Sequence, residues 1–230
     1  KLQDLKTGMM QELLTKGIGH TEFKDSPVGR IPVGWESVYL KNIVKFSQGV
    51  QVDLELHSNE KIDGYVPFLR IENFTQQSKD IRYIPIKSAN GKFISQGDVV
   101  LVRYGATAGF VSRGIEGVLA NNLFVVAPNE KKLSKDLLYL HLLTSFSVFQ
   151  KMMTGGAMPA LNFKMVGDLM IPLPPVNEQK MICKSIISVE LLIQSCRRKL
   201  VAIKNTKKAL MKDLLTGSVR VKTDYDYVSG

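Results

Sequence analysis

The residues with the strongest claim to chemistry are Asp168 and the run Glu178-Gln179-Lys180. Together they match the acidic residue followed by an acidic-x-Lys triplet that metal-dependent nucleases use. That chemistry requires carboxylates on adjacent strands converging on a cation. Here Glu178 follows Pro174-Pro175 and opens a helical stretch, where the helix dipole favours an anion and capping accounts for it. The three histidines, His20, His57 and His141, are scattered, without the spacing of a zinc site. The segment "GATAG" at 105–109 has glycines but no Lys-Ser/Thr behind them, so it reads as a turn and not a phosphate loop. No Asn-Pro-Pro-aromatic or Asp-Pro-Pro-aromatic motif of an amino-methyltransferase is present. The expectation is a chain with no catalytic residue, no metal ligand and no bound cofactor.

A second set of side chains has the chemistry of base recognition. Arg and Lys make paired hydrogen bonds to guanine, and Asn and Gln make them to adenine. Such residues act from loops and strand ends. The candidates are Gln48 and Gln51; Arg70, Asn73, Gln76 and Gln77 in "LRIENFTQQ"; Arg103, Tyr104 and Thr107 in "VRYGATAG"; and Lys151, Asn162 and Lys164 around the Gly155-Gly156 loop. Arg70 and Arg103 border apolar runs, so hydrogen bonding at the edge of the core is the competing role for both. Trp35 reads as packing at the entry to the domain.

These residues need a scaffold. Leu2, Leu5, Met9 and Leu13 recur at helical spacing and predict a helix over residues 1–16, ended by Gly17 and Gly19. From Ser37 to Pro128 the chain reads as short strands: "ESVYLKNIVKFSQG", "YVPFLRIENF", "IRYIPI", "DVVLVRYG", "GFVSRG" and "NNLFVVAP", each bounded by turn residues. A helix is expected from Ser134 to Met153, then a loop "TGGAMPALNF", then a last strand in "MVGDLMIPLPP".

Beyond the prolines, Asn177 is the expected N-cap of a long helix. Ile182, Ile186, Val189, Ile193, Cys196, Leu200, Ile203, Leu210 and Leu214 alternate in steps of four and three, broken only by Lys207 and ended by Gly217. That is a heptad seam, and a helix of about 40 residues with so narrow an apolar stripe needs a partner helix. The rest of its surface carries eight cations, Lys180, Lys184, Arg197, Arg198, Lys199, Lys204, Lys208 and Lys212, which a solvated face explains as well as a binding face does. The chain also echoes itself. At an offset of 201, Lys6 matches Lys207, Met10 matches Met211, and Leu13-Leu14-Thr15 match Leu214-Leu215-Thr216, in phase with the seam. A duplicated unit of helix end, domain and helix accounts for this.

The 230 residues allow one domain with a sizeable core plus something elongated. The net charge of +10 makes a polyanion, nucleic acid above all, a natural partner. No apolar run is long enough for a membrane span, and the charged, amphipathic opening "KLQDLKTGMMQELLTKG" does not read as a signal peptide. Cys183 and Cys196 lie about 20 Å apart along one helix, too far to bridge, so reduced thiols and a cytoplasmic location are expected. The classes left open are a DNA-reading module and a coiled-coil adaptor whose globular part binds protein.

Several segments together resemble the specificity subunits of type I restriction–modification systems. "IPVGWESVYL" is similar to the entry of their target-recognition domain. "VPFLRIENF", "GDVVLVRYGATAGFV" and "NNLFVV" are similar to its internal motifs, and "TGGAMPALNFKMVGDLMIPLPPVNEQKMI" to its exit into a conserved helix. "KKALMKDLLTGSVRV" is similar to the end of that helix. The resemblance implies an α+β fold: residues 1–20 as the end of one conserved helix, 21–176 as the recognition domain, 177–217 as a long helix of an antiparallel coiled coil, and 218–230 as a tail. It implies one half of a bipartite double-stranded DNA target as ligand, and methyltransferase subunits, and through them the restriction subunit, as partners. S-adenosylmethionine, ATP and magnesium would be bound by those subunits; the resemblance also leaves open a recognition module of a fused restriction–methylation enzyme. The family pattern has two recognition domains, whereas this sequence carries one, so self-association through the long helix is a further expectation.

Overall fold

The computed structural model describes residues 2–153 and 159–216. The Gly155-Gly156 part of the expected loop, the Gly217 helix stop and the 218–230 tail lie outside them. The described chain has six α-helices and twelve strands. In order these are α1 (Leu2–Lys16), β1 (Phe23–Lys24), β2 (Ile31–Pro32), β3 (Glu36–Tyr39), β4 (Val44–Gln48), β5 (Tyr65–Leu69), α2 (Ile71–Thr75), β6 (Arg82–Pro85), β7 (Phe93–Ile94), β8 (Val99–Val102), β9 (Val111–Ser112), β10 (Gly117–Leu119), β11 (Leu123–Pro128), α3 (Lys135–Thr144), α4 (Phe146–Met152), α5 (Phe163–Gly167), β12 (Met170–Leu173) and α6 (Val176–Leu215). The fold is α+β, with a long C-terminal helix. It divides into two compact units, Met9–Lys184 and a second made of Lys1–Gly8 with Ser185–Gly230.

The larger unit is built on two four-stranded sheets, ordered β6-β5-β10-β7 and β4-β11-β8-β9. All pairings within them are antiparallel except β5 with β10. An apolar run buried on both faces makes the central strand β8: Val99, Val100, Leu101 and Val102 are all at most 1% exposed. Leu69, Phe74, Ile94, Val100, Val102, Leu119 and Leu123 form one core cluster; Val50, Phe68, Ile84, Ala89, Val118 and Ala120 form another. Phe163 of α5 stacks on Phe46 of β4, centroids 5.1 Å apart, and meets Phe124 of β11 edge-on.

Some elements depart from the periodicity. "ESVYLKNIVKFSQG" divides into β3 and β4 around a 3-10 turn at Leu40–Asn42, because β3 pairs with β12 and β4 with β11. The "RIENF" part of the strand-like "YVPFLRIENF" contains the start of helix α2. The expected helix 134–153 breaks at Ser145, whose hydroxyl donates to the His141 carbonyl (2.8 Å) and bends the chain into α4. Strands β7 and β10 are not evident from the sequence, being two and three residues long.

The start of α6 also differs. The helix begins at Val176, and the Glu178 and Gln179 amides donate to the Pro175 carbonyl, so Asn177 lies inside the helix and is not its cap. The Glu178 carboxylate, 8% exposed, is a junction. It accepts from Trp35 Nε1 (2.8 Å) and from the Ile18 amide (3.2 Å), and pairs with His20 Nε2 (2.7 Å). Gly17, at φ +69°, permits this: a Cβ there would sit 2.4 Å from Glu178 Oε1 and 2.7 Å from the Trp35 ring. Gln179, fully buried, ties the Ser134 amide and the Lys132 and Pro174 carbonyls together. Glu178 and Gln179 of the "EQK" triplet thus form a structural clasp, with Lys180 exposed beside it.

In the smaller unit, Lys6 pairs with Glu190 (2.9 Å). Along α6 the seam is covered at Ile182, Ile186 and Ile193 and half-buried at Val189. Further along it is exposed, with Leu200, Ile203, Leu210 and Leu214 all 47–66% accessible. The two copies of the internal echo part ways here: Met10 and Leu14 are buried, whereas Met211 and Leu215 are 50% and 84% exposed.

His141 supplies a pH test of the core. Burial pushes its pKa down to about 4, against a bond to the Pro172 carbonyl that raises it, and Nε2 has no partner. A base with a depressed folded pKa binds more protons when unfolded. Its contribution is therefore complete above pH 6.5 and is lost as pH falls from 6.5 to 4, by about 3 kcal/mol in all. Urea denaturation across that window is expected to show a shallower pH slope for His141→Phe than for wild type; equal slopes would remove His141 from the acid response.

Candidate nucleic-acid interface

Strand direction gathers the candidate residues. β11 is antiparallel to both β4 and β8, with Phe124 opposite Gln48 and Leu123 opposite Val102. The carboxyl ends of β4 and β8 and the start of β11 therefore share one edge. The other sheet joins there. The Gly49 amide donates to the Leu123 carbonyl (3.0 Å), the Val50 amide to Leu119 (2.8 Å) and the Ala120 amide to Leu69 (2.9 Å), and Val50 bridges Ala120 in parallel. One continuous edge thus carries Gln48 at the end of β4 and Gln51 beyond it, Arg70 after β5, Arg103 and Tyr104 after β8, and Asn121-Asn122 before β11. The segment 159–161 closes it: the Leu161 amide donates to Arg103 (2.8 Å), the Gly105 amide to Pro159 (3.1 Å), and Tyr104 bridges Ala160.

Arg103 is the best-placed cation. Its guanidinium lies over Tyr104 (4.8 Å to the centroid) and near Phe163 (5.8 Å), and no carboxylate of the described residues pairs with it. Aromatic support orients the guanidinium without neutralising it. Thr107 sits in the following turn, its carbonyl accepting from Phe110. Gln150 Nε2 donates to Ala108 (2.7 Å), which sets α4, with exposed Lys151, against that turn. Gln48 Nε2 donates to the Asn121 carbonyl (2.8 Å), Lys92 Nζ to the Gln48 carbonyl (3.0 Å), and Asn121 Nδ2 to Gln51 Oε1.

Other candidates have structural work. Asn73 is 1% exposed; its Oδ1 accepts from the Arg70 amide (2.8 Å) and its Nδ2 donates to the Ser78 and Asp80 carbonyls (both 3.1 Å), leaving no edge for a base. Arg70 is held by Glu72 (2.9 Å) and Asp80 (3.1 Å), the core-edge role rather than an open one. Gln76 and Gln77 are exposed, but Gln77, at φ +53°, lines a cleft with Ser112 and Arg113 and not the Gln48–Arg103 edge. Asn162 caps α5 by accepting from the Met165 amide (2.8 Å). Lys164, exposed on α5, acts on Asp168, which Lys41 (2.8 Å) holds below the usual carboxylate range. Asp168 and Glu178 therefore each have their own partners, and no group of three potential metal ligands occurs among the described residues. Burial pushes the Cys183 thiol up to about 11, and neither cysteine is bridged. Asn121, Asn122 and Lys92, not among the candidates from the sequence, also lie at this edge. The Asn-Asn pair between two apolar runs was the available signal, and only the strand order shows where it lies.

Residues 32–205 match the family model of the type I restriction modification DNA specificity domain. The chain belongs to that family. It is 30% identical over 226 residues to a putative type I restriction enzyme MjaX specificity subunit of Methanocaldococcus jannaschii, covering 96% of this chain and 52% of that protein. It is 27% identical to the MjaVIII specificity subunit of the same organism, covering 86% and 45%. The chain thus spans about half the length of these curated relatives. Its fold is that of the HsdS subunit from Thermoanaerobacter tengcongensis, with a TM-score of 0.67 at 19% identity over 95% of this chain and 51% of that one. A second solved relative, the type I system S subunit from M. genitalium, has a TM-score of 0.59 at 13% identity over 96% and 55%.

Gly49 is the tightest point of the site. A Cβ there would lie 2.2 Å from the Ala120 carbonyl and 2.4 Å from that of Leu119, both backbone atoms. Gly49→Ala is expected to cost about 1–3 kcal/mol in chemical denaturation; an unchanged midpoint would mean the sheets do not need this approach.

Proposed function

We propose that this chain is the non-catalytic DNA-reading part of a type I restriction–modification assembly, recognising one half of a bipartite double-stranded target. The observation that carries the reading is the shared strand edge, where Gln48, Gln51, Arg103, Tyr104 and Thr107 come together on a chain of net charge +10. Arginine and amide side chains on a rigid edge are the donors and acceptors that base edges require. In this reading the partners are methyltransferase subunits and, through them, a restriction subunit, which supply S-adenosylmethionine, ATP and magnesium, and the complex works in the cytoplasm. No helix among the described residues is long and apolar enough to cross a membrane. Specific binding by the assembled enzyme is expected to fall steeply with salt as counterions are released, and Arg103→Ala to weaken it by about 1–3 kcal/mol. A gel-shift titration at several salt concentrations checks both; little DNA binding at any salt would favour a protein-binding adaptor, and full affinity in the variant would remove Arg103 from the base contacts.

We also propose that a helix from a second copy of this chain covers the exposed seam of α6. Four seam residues about half exposed or more, Leu200, Ile203, Leu210 and Leu214, support this, as does the echo of the same helix ending in α1. In sedimentation velocity the full chain is expected to run as a species larger than the monomer. The double variant Leu200→Lys/Leu210→Lys is expected to run as a monomer, and identical profiles for the two proteins would reject self-association through this seam.

A further inference from the structure

The shared edge contains a hydrogen-bonded amide pair that the sequence did not place together. Val50 bridges Ala120 in parallel, and the next residue on each segment is Gln51 and Asn121. Asn121 Nδ2 donates to Gln51 Oε1, while the Asn121 carbonyl is itself anchored by Gln48 Nε2 (2.8 Å). Gln51 is exposed and Asn121 half-buried.

A primary amide oxygen has two lone pairs and its nitrogen two protons. With one lone pair of Gln51 Oε1 used by Asn121, Gln51 still offers one acceptor site and two donors. That set is complementary to the major-groove edge of adenine, which presents N6–H as donor and N7 as acceptor. An unrestrained glutamine would sample both orientations of its amide. In the structure the Asn121 donor holds the Gln51 oxygen toward the strand junction, and this arrangement orders acceptor and donor on the edge before DNA arrives. We propose that Gln51 reads one adenine of the target and that Asn121 is the positioning residue that sets the direction of its amide. This rests on the DNA-reading function above and adds the base and the residues.

The test is selection from a pool of randomised duplex DNA by the full chain assembled with its methyltransferase subunits, followed by sequencing of the bound fraction. Wild type, Gln51→Ala and Asn121→Asp are compared position by position. Gln51→Ala is expected to lower the preference for adenine at one position by roughly five-fold or more, leaving the other positions selected, which also shows that the variant is folded. In Asn121→Asp the carboxylate accepts and cannot donate, so the Gln51 amide turns its nitrogen inward, and the preferred base at that same position changes. A wild-type complex that selects no motif would overturn the DNA-reading function itself. A wild-type motif kept intact by Gln51→Ala, or a uniform loss of affinity with no change at any single position, would overturn this inference alone. A Gln51 effect without an Asn121→Asp change at the same position would remove the positioning role.

Discussion

The structure depends on one close approach: the backbone at Gly49-Val50 passing against the carbonyls of Leu119 and Ala120. There the end of β4 leaves its own sheet and bonds to the end of β10 in the other. Only a residue without a side chain fits, because the nearest atoms are backbone and cannot turn aside. Three things follow. The two core clusters become one body, the carboxyl ends of β4, β5, β8 and β10 share an edge, and residues 70 positions apart, Gln51 and Asn121, become neighbours.

That edge combines adaptable side-chain chemistry with a stiff support. Two of the strands beneath it, β8 and β10, are buried along their whole length, and the loops of the edge start from strand ends. Polar side chains on the edge are partly committed to one another, which reduces the rotamer freedom that binding would otherwise have to remove. Arg103 shows the same principle with aromatic rings in place of hydrogen bonds. Arg70 and Asn73 show its opposite: the Arg70 terminal nitrogens and the Asn73 amide hold the turn after β5.

A second node joins the ends of the domain. Glu178, Trp35, His20 and the Ile18 amide bring the exit of α1, the domain entry and the first turn of α6 together. A buried carboxylate with three polar partners around it is stable because the lone pairs it presents are matched. The triplet that looks like a nuclease motif is thus explained by where the helix begins.

The amino-acid sequence by itself determined what is local and periodic. The helical spacing of Leu5, Met9 and Leu13 yields α1, the apolar run of Val99–Val102 yields a central strand, and the heptad from Ile182 yields a helix of 40 residues. Residue types suited to base recognition and the basic balance were equally legible. Tertiary structure alone decided which of those residues meet. It turned Asn73 and Glu178 inward, bent the chain at Ser145, and buried Met10 while leaving its echo Met211 exposed. The reason is that hydrophobic period and residue type are properties of a segment, whereas burial and hydrogen-bond partnership depend on which distant segment the strand order brings alongside.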